Sequence, residues 1–264
     1  MTGSFLERMR ELKLREVEAA RAGRQGRALS AVGGRPDFYA HLRGAEGMAV
    51  IAEIKRSSPS VGVIEAGLDA PAQARLYAAG GAAAISVLTE GEYFGGSVGD
   101  LAAVSAAVSV PTMRKDFILD EVQIDIAVEA GASAVLLIVA FVAPEVLGAL
   151  LAHARGCGLE ALVEIHDEAE AEVAVGVGAR IIGVNARNLK TLAVDRGAVL
   201  RMGPVLSRRT ADREVILVAE SGISDLEHVR EAHAAGYRAV LVGEALVRHG
   251  DPSGRVRALA GAVG

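Results

Sequence analysis

The sequence contains one cysteine, no tryptophan and few other aromatic residues, with five phenylalanines and four tyrosines. The single thiol, Cys157, excludes an internal disulfide, a zinc site built on several cysteines and a dithiol redox pair. We interpret Cys157 as a small buried thiol. The scarcity of aromatic side chains argues against a base-stacking nucleic-acid surface. The chain is therefore predicted to work in a reducing compartment.

The sequence also lacks the apolar segments that direct a chain into or across a membrane. Its N-terminus is rich in charge and has no apolar core of a secretory signal. The longest apolar run, residues 134–143, stops at Pro144 and Glu145, well short of the roughly 20 residues that cross a bilayer. We therefore expect a cytoplasmic protein with no membrane partner.

Positive charge is not in excess. The formal net charge is −5 and the calculated pI is about 5.7, which argues against nucleic acid or an acidic membrane surface as the partner. The 264 residues, 51% of them apolar and 23% charged, are enough for a large core and exclude intrinsic disorder. We predict a small-molecule ligand, and a monomer with a dimer as the alternative.

One phrase recurs along the chain at a spacing of about 50 residues, the range that marks internal repeats. Each copy has a helix-ending glycine, one or two small residues and a β-branched run, as expected where a helix leads into a buried parallel strand. Four further apolar runs lie between the copies and end in polar residues. The copies begin at Gly80, Ala130, Val177 and Ala235, and the other runs are residues 50–55, 110–115, 161–165 and 215–221.

The segments between these runs are rich in Ala, Glu and Arg at helical spacing, so strand and helix alternate eight times. This alternation predicts an α/β fold, a (β/α)8 TIM barrel, with an open doubly wound sheet as the alternative. The first strand is not followed by a GxGxxG motif, which disfavours the open sheet. We predict that residues 1–264 form one domain, of which residues 1–48 are an N-terminal helical extension.

Two helices are predicted within that extension. Ser4 and Glu7 match a capping box, and the segment that follows places Phe5 and Met9 on one side. A second short helix is predicted after Pro36. We expect these helices to close one mouth of the barrel or to cover the substrate.

Polar residues end several of the predicted strands, although the interior of a parallel barrel is mostly apolar. In the first strand, the alternation of side chains puts Glu53 and Lys55 on the same face, which points into the barrel. Ordinary ion pairs are the alternative for any single residue. Because the carboxyl ends of barrel strands meet at the mouth where barrel enzymes hold their substrates, we expect one site there. The other strand-end residues are Lys115, Glu164, Asn185, Glu220 and Ser221.

Lysine is rare in this sequence, with four lysines against 24 arginines. Lys55 and Lys115 end predicted barrel strands, whereas Lys13 and Lys190 do not. Arginine cannot release a proton near neutral pH but a desolvated lysine can, so the two strand-end lysines indicate proton transfer or an amine nucleophile. We expect the cluster to titrate as a unit, with a lysine pKa lowered toward neutrality and a glutamate pKa raised toward it.

Two kinds of loop are expected at the same mouth. Residues 56–69, which include Ser58, form a long loop rich in Ser, Pro and Gly, and such loops often act as mobile lids. Glycines follow the seventh and eighth strands at Gly222 and Gly243, with Glu244 next to the second. Glycine at these places allows a phosphate to approach backbone N–H groups.

No metal site and no cofactor are predicted. His228 and His233 do not share one helical face, and the pair His166 and Asp167 is more typical of a surface turn than of a metal site. No serine has a histidine partner in a recognisable motif, so a serine nucleophile is not expected either.

Six short motifs occur in order at the spacing of barrel strands. They are IAEIKRSSPS from Ile51, YFGGS from Tyr93, RKDFILDEVQI from Arg114, LVEIHDE from Leu162, GVNARNLKTL from Gly183 and AESGIS from Ala219. The set resembles the indole-3-glycerol-phosphate synthase family over nearly the whole chain. The resemblance implies a (β/α)8 barrel with an N-terminal helical extension, an enzyme of tryptophan biosynthesis, and no cofactor.

The same resemblance implies a reaction and its main groups. The enzyme would be a carboxy-lyase that closes the indole ring of 1-(2-carboxyphenylamino)-1-deoxyribulose 5-phosphate with loss of CO2 and water. Lys115 resembles the general acid that protonates the ribulose carbonyl oxygen. Glu164 resembles the acid/base group of the later dehydration, in which Lys55 could also take part. Lys55 and Glu53 would orient the substrate, with Lys55 facing its carboxylate.

Further contacts follow from the resemblance for the rest of the substrate. Asn185 and Ser221 would hold the sugar hydroxyls, and Arg187 would support the charged network. The remaining expected contacts are the ring-pocket residues Phe94, Phe117, Leu136 and Leu189, the phosphate-binding Gly222, Gly243 and Glu244, and also Ser58 and Glu220.

Three alternative functions remain open. One is a Schiff-base lyase or aldolase, in which Lys55 or Lys115 attacks a carbonyl carbon. Another is an isomerase acting on phosphoribosyl anthranilate, although no cysteine ends the first strand to serve it. The third is a catalytically silent protein that binds a phosphorylated ligand, although binding would tolerate arginine in place of either lysine.

Overall fold

A computed structural model describes residues 4–24, 34–189 and 192–263, so Lys190 lies outside the described residues. The barrel strands coincide with the predicted apolar runs. They are β1 Ala49–Ile54, β2 Ala84–Leu88, β3 Thr112–Lys115, β4 Ala134–Ile138, β5 Glu160–Ile165, β6 Ile181–Asn185, β7 Ile216–Glu220 and β8 Ala239–Val242.

Helices separate the strands. Short polar residues set several helix starts, because their side chains accept the N–H of the first helical turn, as Asp69 and Asp167 do. Among the described residues, no helix is both long and apolar enough to cross a membrane. The helices are α1 Phe5–Gly23, α2 Phe38–Gly44, α3 Ala70–Ala79, α4 Val98–Ala107, α5 Glu121–Glu129, α6 Pro144–Gly156, α7 Glu168–Gly176, α8 Arg196–Arg209, α9 Leu226–Ala234, α10 Glu244–Val247 and α11 Pro252–Ala260.

The strands close into a ring. Neighbouring strands are parallel and follow chain order, and β1 pairs with β2 on one side and with β8 on the other. Ile51 lies opposite Ala84, and Ala49 lies opposite Ala239. A closed ring of parallel strands with helices between them is a TIM barrel. The predicted fold is confirmed, and the open doubly wound alternative is wrong.

The second residue of each recurring phrase is a glycine in the left-handed region of backbone space, where other residues are strained. At Gly131, the N–H donates to the carbonyl of Val128 and the next N–H, of Ala132, donates to Ala127. These bonds end α5 and turn the chain into β4. The four glycines are Gly81 (φ 88°), Gly131 (φ 81°), Gly178 (φ 75°) and Gly236 (φ 95°).

The apolar strand residues divide between two cores. In β1, Val50 and Ala52 pack toward the helices, whereas Ile51 packs inside the barrel with Met113 and Leu162. Both sets are buried, which is why the strands read as continuous apolar runs. The packed interior leaves the carboxyl-terminal mouth for a ligand.

Helix α1 begins with the predicted capping box. Ser4 Oγ accepts the N–H of Glu7, and the Glu7 carboxylate accepts the N–H of Ser4 at 2.6 Å. The buried face of the helix contains Phe5, Met9 and also Lys13. The prediction of an amphipathic helix is confirmed, and its one unexpected feature is a buried lysine.

The two N-terminal helices lie at opposite ends of the barrel. Helix α1 borders the mouth, because the ring of Phe5 packs edge-on against Phe117 with centroids 5.8 Å apart. Helix α2 lies at the amino-terminal end, where the Tyr39 hydroxyl donates to the carbonyl of Glu214, just before β7. The N-terminal helices were expected to close one mouth of the barrel or to cover the substrate. Helix α2 closes the amino-terminal end, and helix α1 forms part of the wall at the carboxyl-terminal mouth.

Candidate active site

A cavity of about 470 Å³ opens at the carboxyl ends of the strands. Its volume is in the range of small-molecule sites. The strand ends and the loops that follow them bring every residue that the sequence assigned to the site onto the cavity wall. These residues are Glu53, Lys55, Ser58, Phe94, Lys115, Phe117, Leu136, Glu164, Asn185, Arg187, Leu189, Glu220, Ser221, Gly222, Gly243 and Glu244.

Glu53 and Lys55 form an ion pair on the inner face of β1, as their alternation predicts. Lys55 Nζ lies 2.5 Å from Glu53 Oε1, and the Glu53 side chain is almost fully buried. Burial by itself would raise the pKa of Glu53, but Lys55 and Lys115 outweigh it and hold the pKa below its ordinary value. Glu53 is therefore an anion that fixes the Lys55 ammonium at the mouth.

Lys115 lies between two carboxylates contributed by different strands. Its Nζ is 3.2 Å from Glu220 Oε2 and 3.6 Å from Glu164 Oε2. Burial works to lower the pKa of Lys115, but Glu220, Glu164 and Glu53 outweigh burial and raise the pKa above the ordinary lysine value. The expectation of a lysine pKa near neutrality is therefore wrong at Lys115. Its ammonium is therefore protonated, and it holds that proton more tightly than an ordinary lysine does.

Glu220 is the carboxyl group shifted toward neutrality. Burial raises the pKa of Glu220 to about 7, and the Glu164 carboxylate adds to the increase while Lys115 opposes it. A glycine makes room for this side chain: a Cβ on Gly183 would overlap Glu220 Oε1 and come within 3.1 Å of Leu162 Cδ1. The expected glutamate with a raised pKa is therefore Glu220, whereas the pKa of Lys115 beside it is raised and not lowered.

Replacing Glu220 by glutamine should flatten the pH dependence of stability. The pKa is about 7 in the folded chain against an ordinary value of 4.5, so the folded protein binds this proton more tightly. The wild type therefore loses stability as the pH rises through this window, whereas the amide does not titrate. Urea unfolding at pH 5 and pH 8 should show the wild type losing up to about 3 kcal/mol relative to Glu220→Gln.

A surface carboxylate serves as the control for that measurement. Glu214→Gln removes an exposed charge that pairs with Arg43, so its stability should track the wild type across the same pH range. Parallel curves for wild type and Glu220→Gln would show that Glu220 is ionised throughout and would contradict the raised pKa.

Asn185, Arg187 and Ser221 sit on backbone that holds them at the mouth. Asn185 Oδ1 accepts the N–H of Arg187 at 2.9 Å, and the Arg187 guanidinium donates to the carbonyl of Leu192 at 3.0 Å. Ser221 has a φ of 64° and Gly222 one of 72°, so two successive left-handed residues turn the end of β7 into its loop. For a serine this conformation is strained, and such strain is common where a side chain is held at a functional site.

The apolar wall is larger than the sequence indicated. Phe94 and Phe117 face each other with ring centroids 6.3 Å apart, and Phe5 of α1 lies 5.3 Å from Tyr93. Phe5 lines the cavity, although the sequence placed it only on the buried face of a helix. No local signal could have assigned it, because its partners are Tyr93 and Phe117, far along the chain.

A buried charge network behind Lys115 was also missed. Asp116 accepts from Lys13 at 2.8 Å, from Arg114 at 2.8 Å and from the Thr89 hydroxyl at 2.6 Å. Burial would raise the pKa of Asp116, but Arg114 and Lys13 outweigh it and hold the pKa far below its ordinary value. Lys13 thus docks α1 against Asp116, the residue after Lys115, so the role of this lysine is structural.

The phosphate end of the cavity contains the predicted glycines and one residue that was missed. Gly243 precedes α10, and Glu244 begins it. Arg248 also lines the cavity and its Nε lies 3.0 Å from Glu244 Oε1. The N–H groups in the first turn of a helix lack partners within the helix, so they are available to an anion.

The loop of residues 56–69 is tied down at its base. Arg56 forms a two-pronged ion pair with Asp100 and donates to the carbonyls of Leu68 and Gly95. Beyond this base, a short antiparallel ladder pairs Ser57–Ser58 with Gly62–Val63. Ser58 lines the cavity, and the prediction of a mobile lid stays a prediction.

Within the described ranges, one group of possible metal ligands lies outside the cavity, on α5 and at the end of α6. Asp125, His153 and Cys157 bring their ligand atoms within 4.8 Å of one another. His153 Nε2 is already 2.8 Å from Asp125 Oδ1, an ordinary hydrogen bond. Cys157 is half-buried rather than fully buried. The absence of a metal and of a cofactor stays a prediction.

Comparisons with known proteins agree on one family. A family model described as indole-3-glycerol phosphate synthase matches residues 6–259. A protein of that name from Nocardioides sp. is 52% identical over 234 residues, which cover 89% of this chain and 88% of the relative. Another, from Carboxydothermus hydrogenoformans, is 49% identical and covers 78% of this chain and 76% of the relative.

Solved structures of another barrel enzyme match the fold alone. The structure of 3-hexulose-6-phosphate synthase from Salmonella typhimurium has a TM-score of 0.62 and covers 81% of this chain and 98% of its own. The two sequences are 17% identical. This similarity supports the barrel architecture and carries no argument about activity.

Proposed function

We infer the catalytic roles in this cavity from the premise that the chain belongs to the indole-3-glycerol phosphate synthase family. It is a carboxy-lyase of tryptophan biosynthesis, which closes the indole ring of 1-(2-carboxyphenylamino)-1-deoxyribulose 5-phosphate with loss of CO2 and water. The observation that carries the assignment of roles is the position of Lys115. A protonated ammonium is held between Glu164 and Glu220, in the lining of a cavity with an apolar wall and a glycine-rich end.

The parts of the cavity match the parts of the substrate. The carboxyphenyl ring is planar and apolar, which suits the wall of Phe94, Phe117, Leu136 and Leu189. The phosphate is an anion, which suits the backbone N–H groups at Gly222, Gly243 and Glu244. The ribulose carbon chain lies between these ends, so its carbonyl comes to the charged cluster.

Ring closure needs a proton at the ribulose carbonyl oxygen. As the ring carbon that bears the carboxylate attacks the carbonyl carbon, the oxygen gains negative charge. Lys115 is protonated and lines the cavity, so its Nζ transfers a proton to that oxygen, which becomes a hydroxyl. Lys55, fixed by Glu53, faces the substrate carboxylate and holds the ring for attack. The carboxylate then leaves as CO2.

Dehydration needs an acid for the leaving hydroxyl and a base for the proton lost from the ring. Glu164 lies beside Lys115 and is almost fully buried, which suits an acid/base group working away from water. Lys55 is the second group in reach of the charged cluster and acts with Glu164 in this step. The assignment leaves Asn185, Ser221 and Arg187 to hold the hydroxyl groups, with Ser58 and Glu220 as further contacts.

Replacing Gly243 by alanine should damage binding and chemistry together. A Cβ at this position would overlap Glu53 Oε1 and lie 3.2 Å from Lys55 Nζ, so the ion pair must move. Displacing an orienting group by about 1 Å can lower the rate by about 10²-fold. We expect kcat/KM to fall by about tenfold or more, with a rise in KM.

Gly250→Ala is the matched control for that variant. It makes the same change seven residues later, where an added Cβ meets nothing within 4 Å, so its kinetics should equal those of the wild type. Unchanged kcat/KM in Gly243→Ala would place both the phosphate and the Glu53–Lys55 pair elsewhere in the mechanism.

Indole fluorescence provides the test of the activity. Purified protein mixed with 1-(2-carboxyphenylamino)-1-deoxyribulose 5-phosphate should develop the fluorescence of the indole product and release CO2. A folded protein that gives neither signal would overturn the proposed roles. Borohydride added with substrate tests the Schiff-base alternative, which the raised pKa of Lys115 disfavours, because an amine must lose its proton before it attacks. A stable lysine adduct would favour the aldolase.

The cellular location and the oligomeric state of the protein are proposals. The single cysteine supports the proposed cytoplasmic location, because a chain without disulfides is suited to a reducing compartment. The small phosphorylated substrate is the expected partner. A monomer, with a dimer as the alternative, stays a prediction that sedimentation equilibrium would decide.

A further inference from the structure

His166 lies directly behind Glu164, on the side away from Lys115. The sequence suggested a surface turn here, but the imidazole is only 13% exposed and its Nε2 lies 3.4 Å from Glu164 Oε1. On its other side, Nδ1 lies 3.0 Å from Glu170 Oε2, and the same carboxylate accepts the backbone N–H of His166 at 2.8 Å. Glu170 belongs to α7 and is 20% exposed, so it reaches toward solvent.

The contact between His166 and Glu164 requires a shared proton. Nδ1 faces a carboxylate, so it carries the hydrogen that it donates to Glu170. A neutral imidazole then presents a lone pair at Nε2, which would face a lone pair of Glu164. Both Nε2 and Glu164 Oε1 are buried without a hydrogen-bond partner among the described residues. One proton placed between them satisfies both atoms, either on the imidazole or on the carboxyl group.

Charges around the imidazole favour its protonated form. Burial works to lower the pKa of His166, but Glu170, Glu164 and Glu220 outweigh burial and raise the pKa. Lys115 is the opposing cation, and it lies beyond the Glu164 carboxylate from His166. The four groups form a row from Glu170 through His166 and Glu164 to Lys115.

The reaction consumes one proton in every turnover. The substrate carboxylate is ionised at neutral pH and leaves as CO2, which takes no proton with it. The ribulose carbonyl oxygen needs a proton to become a hydroxyl, and the hydroxyl needs another to leave as water. Dehydration returns one proton from the ring, so the balance is one proton taken up from solvent. While substrate fills the cavity, Glu164 is nearly fully buried, so the proton that it uses in that turnover comes from a neighbouring group.

We propose that His166 is a positioning residue that supplies Glu164 with the proton consumed in each turnover. The inference rests on the proposed acid/base role of Glu164. The Nε2–H bond of the imidazolium breaks as an O–H bond forms at Glu164 Oε1. Glu164 can then release a proton from Oε2 toward Lys115, which has given its own to the substrate. Between turnovers the cavity that Glu164 lines is open to water, so Glu164 takes up a proton from solvent and passes it back to Nε2, while Nδ1–H stays directed at Glu170.

The test compares His166→Ala with the wild type in the presence and absence of imidazole. We expect kcat of His166→Ala to fall by about tenfold or more, with KM changed less than about twofold, because the substrate does not touch His166. Imidazole added to the assay should raise kcat of His166→Ala severalfold and leave the wild type unchanged. Glu170→Gln should lose part of the activity, since it keeps the shape but removes the charge that holds Nδ1–H.

His153→Ala is the matched control, because it removes an imidazole that pairs with a carboxylate on the outer helices. It should show neither a loss nor a response to imidazole. His166→Asn, which cannot titrate, repeats the test if His166→Ala does not fold. A reduced kcat that imidazole does not restore would assign His166 a structural role and overturn the inference, as would full activity in His166→Ala.

A second measurement does not depend on activity. The imidazole nitrogen signals of His166, followed by NMR over pH, should give a lower pKa in Glu164→Gln than in the wild type, because the facing charge is gone. Identical titrations would overturn the shared proton. A wild type that makes no indole product but shows this coupling would instead reject the proposed function and leave the contact itself intact.

Discussion

Arginine in place of Lys115 should lower kcat nearly as far as alanine does. Lys115→Arg keeps the positive charge between Glu164 and Glu220, but its guanidinium does not give up a proton near neutral pH. If Lys115 is the general acid, both variants lose the proton transfer, and the expected fall in kcat is about 10²-fold to 10⁴-fold. Steady-state indole formation by the two variants at saturating substrate measures it.

A different result is expected if Lys115 does not transfer a proton. If Lys115 only stabilises developing negative charge, Lys115→Arg should stay within about tenfold of the wild type while Lys115→Ala falls far below it. Lys13→Arg is the control for placing a guanidinium in a buried ion pair, since Lys13 pairs with Asp116 and is 1% exposed, against 15% for Lys115. It should keep kcat close to the wild-type value. A large loss in Lys13→Arg would show that packing dominates such exchanges.

Glutamine in place of Glu164 should lower kcat by about 10²-fold or more and leave the fold intact. The amide has the shape of the carboxyl group, so the packing around β5 is preserved, but it can neither take nor give a proton at neutral pH. KM should change much less, because Glu164 acts on the reaction and not on the ring or phosphate contacts. Steady-state kinetics with a thermal melt of each protein separates these effects.

Glu160→Gln makes the same change at the opposite end of the same strand. Glu160 pairs with Arg180 at 2.8 Å at the amino-terminal end of β5, away from the cavity, and its variant should keep the wild-type kcat. An unchanged kcat in Glu164→Gln would remove Glu164 from the chemistry and leave it a structural partner of Lys115. The proposed dehydration step would then need another acid.

The barrel could be predicted because its signals are local. Gly131 and its equivalents must adopt a backbone conformation that only glycine takes without strain, and each stands directly before a buried strand. The alternation in β1 places Glu53 beside Lys55 without knowledge of any other strand. Four such glycines and eight apolar runs in order predict the architecture, and the architecture brings the strand ends together.

The rest of the site depends on contacts between distant parts of the chain. Nothing near Lys13 indicates that it is buried against Asp116, and nothing near Phe5 indicates that it borders the cavity. The predicted direction of the pKa shift at Lys115 was wrong because it, too, depends on distant residues. Burial by itself lowers a lysine pKa, and the carboxylates that reverse it arrive from three other strands. The individual roles of the site residues stay predictions.

Closure of the ring also sets the timing of folding on the ribosome. The Arg238 guanidinium donates to the carbonyl of Gly47, 191 residues earlier, and β8 is the strand that completes the pairing of β1. At about 5–20 residues per second, β1 is synthesised about 10 to 40 seconds before that partner is made. An apolar strand with an open edge is a hazard for aggregation during such a delay. The nascent chain therefore depends on early pairing of β1 with β2, or on a chaperone, until the last strand arrives.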